Sequence, residues 1–206
     1  MAEANTRPSG HLFIVSAPSG AGKSTLCGAA RERFPDLRYS ISATARPPRP
    51  GEVDGKDYFF VSEEAFKQGI QEGRWAEWAV VHGNYYGTPA DFIQKTLADG
   101  RDILLDIDVQ GAEQLMDRFP DSISIFIMPP SEEILRERLE KRGTDDPAVI
   151  QRRMENARKE MAVKDRYRHI IVNDDLSRAV DQFVDIIDHH RRSKHDPAVG
   201  KSDGGP

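Results

Sequence analysis

The stretch His11-Leu-Phe-Ile-Val-Ser-Ala-Pro-Ser-Gly-Ala-Gly-Lys-Ser-Thr25 limits what this chain can fold into more than any other. Leu12 to Val15 is a short continuous apolar run, the pattern of a parallel strand buried on both faces. A turn of small residues follows, and a helix opens at Lys23-Ser24-Thr25. Strand, glycine-containing turn and helix in that order make a phosphate-binding loop. Gly20 and Gly22 let backbone N–H groups converge on an anion. The helix start adds unpaired N–H groups and the positive end of its dipole. In such a loop Ala17, Pro18, Ser19, Gly20, Ala21, Gly22 and Thr25 surround the phosphates of a nucleoside triphosphate. Lys23 reaches the terminal phosphates, and Ser24 sets its hydroxyl on a magnesium ion. Ala17 stands where the motif wants glycine, so the turn must accept a Cβ there.

The rest of the chain supplies a parallel core around that loop. After the first helix, stopped by Pro35, Leu37 to Ile41 reads as a second strand. Ser40 to Glu52 is rich in proline and polar groups and carries Arg46 and Arg49 three apart. The prolines stiffen this frame, so the arginines lose less freedom on binding. Asp57 to Val61 reads as a strand, and Ser62 caps a helix that Gly73 ends. Trp75 to Val81 is strand-like and carries Glu77 between two tryptophans, which favours a buried setting for it. A helix from about Pro89 to Leu97 closes this block, which has the look of an insertion with its own small sheet.

Ile103 to Asp108 is a second continuous apolar strand, and period two puts Asp106 and Asp108 on one side of it, near the loop magnesium. A helix spans 109 to 118, and Ile123 to Met128 is another core strand. From Ser131 to about Arg166 runs a charged helical pair, broken at Gly143 and restarted near Pro147. Its apolar stripe (Ile150, Met154, Ala157, Met161) is narrow, while arginines including Arg138, Arg142, Arg152, Arg153 and Arg158 crowd it. A solvated charged face is the usual meaning of such a run. Beside a phosphate loop, it suits a mobile lid that closes over phosphates. Arg168 to Val172 is the last strand, and Leu176 to Ile187 marks an amphipathic closing helix. The polar ends, 1–10 and 193–206, read as a disordered arm and tail.

Composition removes several function classes. No apolar run approaches the roughly 20 residues a membrane span needs, and the start has no apolar h-region, so a cytoplasmic location is expected. The net charge of -5 argues against nucleic-acid binding. The lone Cys27 excludes an intrachain disulfide and reads as a small buried filler.

Taken together, these segments resemble the guanylate kinase family, in its soluble bacterial form. The matching residues are Ser16 to Thr25, Ser42-Ala-Thr-Ala-Arg46 with Arg49 and Gly51-Glu52, Gly55-Lys-Asp-Tyr58 and Glu77-Trp78. Gly83 to Thr88, Leu105 to Gly111 and Arg138 to Thr144 complete the set. The resemblance implies an α/β fold: a P-loop parallel sheet core with helices on both faces (11–41, 101–130, 167–192), a small mixed β/α GMP-binding insertion (42–100) and a helical lid (131–166). It implies transfer of a phosphoryl group from ATP, with Mg2+, to GMP or dGMP. By the same resemblance Arg46, Arg49, Tyr58 and Tyr86 grip the acceptor phosphate, Ser42, Glu77 and Thr88 read guanine, and Asp108 is a further substrate-side carboxylate. Lys23, Arg46, Arg142 and Arg153 are the implied catalytic cations, with Arg138 on the ATP side. Asp106 and Asp108 suit magnesium-bound water and guanine equally well. A scaffold module of the same fold without catalysis, and a kinase for AMP or a pyrimidine monophosphate, are the competing readings. The intact Gly22-Lys23-Ser24 weighs against the first; the arginine-proline segment and Glu77 weigh against the second.

Overall fold

The computed structural model describes residues 10–81, 83–141 and 146–193. The chain begins with β1 (Leu12–Ser16) and α1 (Lys23–Arg33), then three short strands, β2 (Arg38–Tyr39), β3 (Ala43–Thr44) and β4 (Phe59–Phe60). Next come α2 (Glu63–Gln71), β5 (Trp75–Val81), β6 (Asn84–Pro89) and α3 (Ala90–Ala98). The second half alternates β7 (Ile103–Asp106), α4 (Val109–Arg118), β8 (Ile123–Met128), α5 (Glu132–Lys141) and α6 (Pro147–Met161). It closes with β9 (His169–Val172) and α7 (Leu176–Ser193).

Five strands form one parallel sheet in the order β2-β7-β1-β8-β9. Every residue of β1 is buried because the strand is central and covered on both faces. Phe13 and Val15 point into a cluster with Leu26 and Ala30 of α1 and Phe183 and Ile187 of α7. Leu12 and Ile14 point the other way, against Ile93 of α3 and Ala112 and Leu115 of α4. Alternation along one strand thus feeds two apolar layers, which is why helices lie on both sides. Parallel strands all end on one edge, and that edge carries the loop after β1.

A second, four-stranded sheet has the order β4-β3-β6-β5 and is mixed, with β3–β4 parallel and the pairs β3–β6 and β5–β6 antiparallel. A third apolar cluster joins Leu135 and Leu139 of α5 to Ile150, Met154 and Ala157 of α6. Ser62 caps α2 through a hydrogen bond from the Ala65 amide (3.1 Å). Among the described residues no helix is long and apolar enough to cross a membrane.

Three sequence expectations need correction. The strand expected over 37–41 pairs only at Arg38–Tyr39, because it lies at the sheet edge and touches one neighbour. The strand expected over 57–61 is reduced to Phe59–Phe60, at the edge of the second sheet. The strand expected to reach Asp108 stops at Asp106. Asp108 instead takes the N-cap of α4, its Oδ1 accepting from the amides of Gln110 (2.8 Å) and Gly111 (3.3 Å). Strand periodicity therefore does not relate Asp106 to Asp108; a turn separates them.

Candidate active site

The loop after β1 owes its shape to two left-handed glycines, Gly20 (φ 95) and Gly22 (φ 100). Both conformations are costly for residues with a Cβ. Gly22 is also the N-cap of α1, and no side chain caps that helix, so its first turn faces the cleft open. The loop is packed as well as bent. A Cβ on Gly20 would meet the leucines of α5 (Leu135 Cδ1 at 3.0 Å, Leu139 Cδ2 at 3.2 Å). A Cβ on Gly22 would collide with the side-chain amide of Asn173. That amide donates to the Ala21 carbonyl (2.8 Å), and the Asn173 carbonyl accepts from Arg138 Nη2 (2.8 Å). Asn173, just beyond β9, thus ties the loop to α5. Sequence reading missed it; a polar residue at the carboxyl end of a core strand was the available signal.

Lys23 is held by two partners on the neighbouring strand end, an ion pair with Asp106 and a hydrogen bond to the Ile107 carbonyl (2.9 Å). Burial acts to lower its pKa, but Asp106 more than offsets this and the net shift is upward. Asp106 also accepts from the Tyr39 hydroxyl (3.3 Å).

A cleft of about 420 Å³ opens beside the loop. Its wall brings together the whole loop from Ala17 to Gly20 and Gly22 to Thr25, with Ser42, Tyr58, Tyr86, Asp106, Asp108 and Glu160. Tyr58 and Tyr86 meet edge to face, their ring centroids 5.8 Å apart.

Arg46 stands behind this wall. It is 8% exposed, and its guanidinium is bidentate with Glu52, at 2.6 Å on each side. Its Nε donates to the Tyr86 hydroxyl (3.0 Å), and the plane lies over the Tyr58 ring (5.1 Å). Arg46 hydrogen bonds and the Arg49 amide hold the Glu52 carboxyl down at about 2. Arg49 itself is exposed. Arg46 therefore addresses the cleft through Tyr86, with its charge matched by Glu52.

Glu77 is 3% exposed on β5, buried as the flanking tryptophans suggested, though Trp78 itself is 38% exposed. A β-bulge between Trp75 and Glu77 breaks the alternation, so Ala76 and Glu77 are buried in succession. The Thr88 hydroxyl donates to Glu77 Oε1 (2.5 Å) from the facing strand. On the other side the carboxylate occupies space left by the missing Cβ of Gly111 in α4. Burial pushes the Glu77 carboxyl up to about 7; the Thr88 bond opposes this and the charge of Asp108 adds to it.

The raised value has a defined sign. Folded protein keeps a proton on Glu77 between about 4.5 and about 7, where the unfolded chain has lost it, so stability falls as pH rises across that window. Glu77→Gln should flatten the fall, measured as denaturant midpoints at pH 5 and pH 8. An identical pH slope in wild type and variant would contradict the burial argument.

On the helical pair, Arg138 donates to Asn173 and Arg153 is half-buried on α6, while Arg142 lies outside the described residues. Among the described residues, the cleft wall does not include Arg46, Arg49, Glu77, Thr88, Arg138 or Arg153.

The family model described as guanylate kinase matches residues 9–190. The chain is 53% identical over 178 residues to a guanylate kinase of Syntrophotalea carbinolica, covering 86% of this chain and 85% of that one. It is 49% identical over 178 residues to one from Caldanaerobacter subterraneus subsp. tengcongensis, covering 86% of each. The chain belongs to the guanylate kinase family. A crystal structure of guanylate kinase from Anaplasma phagocytophilum is 32% identical, with a TM-score of 0.72 over 94% of this chain and 92% of that one. Within the guanylate kinase family, then, this member shows a phosphate loop and a tyrosine pair on one cleft, with Arg46 and the buried Glu77 both set back from its wall.

Proposed function

We propose that the protein transfers the terminal phosphoryl group of ATP to GMP, and also to dGMP, giving ADP and GDP or dGDP. One observation carries the reading. An open, glycine-shaped helix N-terminus bearing Lys23 shares its cleft with a tyrosine pair, and a buried carboxylate–hydroxyl couple (Glu77, Thr88) packs against Gly111 of α4, the helix capped by Asp108 of the cleft wall. The first end suits a triphosphate, the second a guanine, whose N1–H and N2 amino group are donors.

The acceptor needs no general base, because a phosphate monoester has a second pKa of about 6 and is largely dianionic at neutral pH. The obstacle is repulsion between two anions, so the site must supply positive charge and position. Lys23 does this by exchanging Asp106 for the β- and γ-phosphate oxygens. Tyr58, Tyr86 and Arg49 receive the acceptor phosphate, with Arg46 behind them fixing the Tyr86 hydroxyl. Arg142, Arg153 and Arg138 belong to the lid that closes over the transferring group. Ser24, exposed on the first turn of α1 beside Lys23, offers the hard oxygen that magnesium prefers, and Mg2+ held there with ATP would neutralise phosphate charge. A cytoplasmic site of action fits this role in purine nucleotide metabolism.

A coupled ADP-release assay with GMP, dGMP, AMP, CMP and UMP tests the reading. Preference for AMP or a pyrimidine would make this a different monophosphate kinase; no turnover with any acceptor would favour a binding module. A narrower test uses Gly111→Ala, whose methyl group must displace the Glu77 carboxylate. KM for GMP should rise about tenfold, the scale of one hydrogen bond to a charged group, with KM for ATP unchanged. Equal KM values for GMP in wild type and variant would remove Glu77 from the acceptor site.

A further inference from the structure

One carboxyl group on the cleft wall has no part in the chemistry above. Glu160 lies on the last turn of α6 and faces the same cleft as Lys23, Asp106 and Asp108. The sequence draws attention to the arginines of this helix, yet among the described residues it is the glutamate that reaches the cleft. Its side chain makes no hydrogen bond or ion pair with any described residue. Such a group is stabilised by any ligand that brings a donor to it. Burial, then the charge of Asp108, push it up to about 7, with Lys23 opposing.

The charged groups around Glu160 indicate which ligand that is. Lys23 of α1, Asp106 at the end of β7, Asp108 at the cap of α4 and Asp57 line the same cleft, and of these Asp108 and then Lys23 act on Glu160. Asp108 binds the Gly111 amide, and Gly111 is the residue against which Glu77 rests. Glu160 therefore shares the cleft wall with Asp108, which leads through Gly111 to Glu77, as well as with Lys23 of the phosphate loop.

We propose that Glu160 is the lid's own contact with the acceptor nucleoside, accepting a hydrogen bond from a hydroxyl or amino donor of GMP and so tying the position of α6 to acceptor occupancy. The proposal rests on the GMP reading given above. Its reach is set by packing. Ile150, Met154 and Ala157 of α6 meet Leu135 and Leu139 of α5, and those leucines lie against Gly20 of the phosphate loop. A donor bound at Glu160 thus bears on the loop through one apolar layer.

The test uses the full chain with Glu160→Ala and Glu160→Gln, their folding checked by circular dichroism and melting. In the alanine variant KM for GMP should rise about 10- to 100-fold, as for a lost hydrogen bond to a charged group, with KM for ATP within about twofold. Hydrogen exchange across 147–161 should slow when saturating GMP is added to wild type without ATP, and should not slow in the variant at equal occupancy. Glutamine keeps an acceptor and should fall between; it decides the matter if the alanine variant does not fold. Repeating KM with dGMP and IMP assigns the donor. A penalty lost with dGMP marks the 2′-hydroxyl, one lost with IMP the 2-amino group, and one kept with both the N1–H or 3′-hydroxyl. The proposal is overturned by an unchanged KM for GMP, by equal rises for GMP and ATP, or by GMP protection of α6 that survives the substitution. Wild type that fails to phosphorylate GMP would defeat the underlying reading instead, and that result precedes any variant.

Discussion

Lys23→Ala should all but abolish phosphoryl transfer while the protein stays folded. Removing one preorganised group aimed at developing charge commonly costs about 10²–10³ in rate. The structure suggests a larger loss here. Lys23 pairs with Asp106, so the variant leaves that carboxylate facing incoming triphosphate with, among the described residues, the Tyr39 hydroxyl as its hydrogen-bond donor. The deficit should therefore divide into two parts. Lys23→Ala alone should lose both turnover and ATP affinity, whereas Lys23→Ala with Asp106→Asn should regain much of the affinity and little of the turnover. Turnover and ATP dissociation constants, with melting temperatures as a folding control, separate the two. Near-normal turnover in a folded single variant would refute the catalytic assignment.

Glu77→Gln should collapse acceptor selectivity. A carboxylate can accept from both N1–H and the N2 amino group of guanine, whereas adenine has no 2-amino group and presents a lone pair at N1. A site built to hydrogen-bond one group can reject an analogue lacking it by roughly 10⁴–10⁵. Burial sharpens this: the carboxyl has Thr88 on one oxygen and Gly111 beneath the other, so little water is at hand to repair a mismatch. Glutamine keeps the size, replaces one acceptor with a donor and removes the charge. The expected result is a large fall in kcat/KM for GMP, little change in ATP affinity and a narrower gap between GMP and AMP. If the GMP-to-AMP ratio of kcat/KM stays where it was, Glu77 does not read the base.

What could be read from the residues beforehand was whatever local pattern governs. β8 and α4 match their expected limits because a continuous apolar run and a clean helical period mark them. β2 and β4 came out short because edge pairing depends on neighbours far along the chain. Asp108 shows a different failure. Its side of the strand was extrapolated beyond the point where the Ile107 amide makes its last bond to Val15 (3.1 Å) and the chain turns to start α4. The site divides in the same way. The loop stands out by its motif, whereas the tyrosines and Glu77 come forward through the resemblance to the family. The Glu52 hold on Arg46, the Asn173 buttress and the approach of Glu160 are tertiary contacts, and no spacing announces them.

The strand order sets a timetable for the growing chain. β1 leaves the ribosome ahead of every other strand described, yet its neighbours come much later, Ile103 beside Leu12 and Ile123 beside Phe13. Until β7 and β8 have been synthesised, an apolar strand has both hydrogen-bonding edges open and the glycine loop has no sheet to hang from. The partner that locks the loop, Asn173, arrives later still. The nucleotide cradle is thus written first and assembled among the last. Nascent chains stalled before Ile103 should carry its sequence without retaining ATP, whereas chains released beyond α7 should retain it.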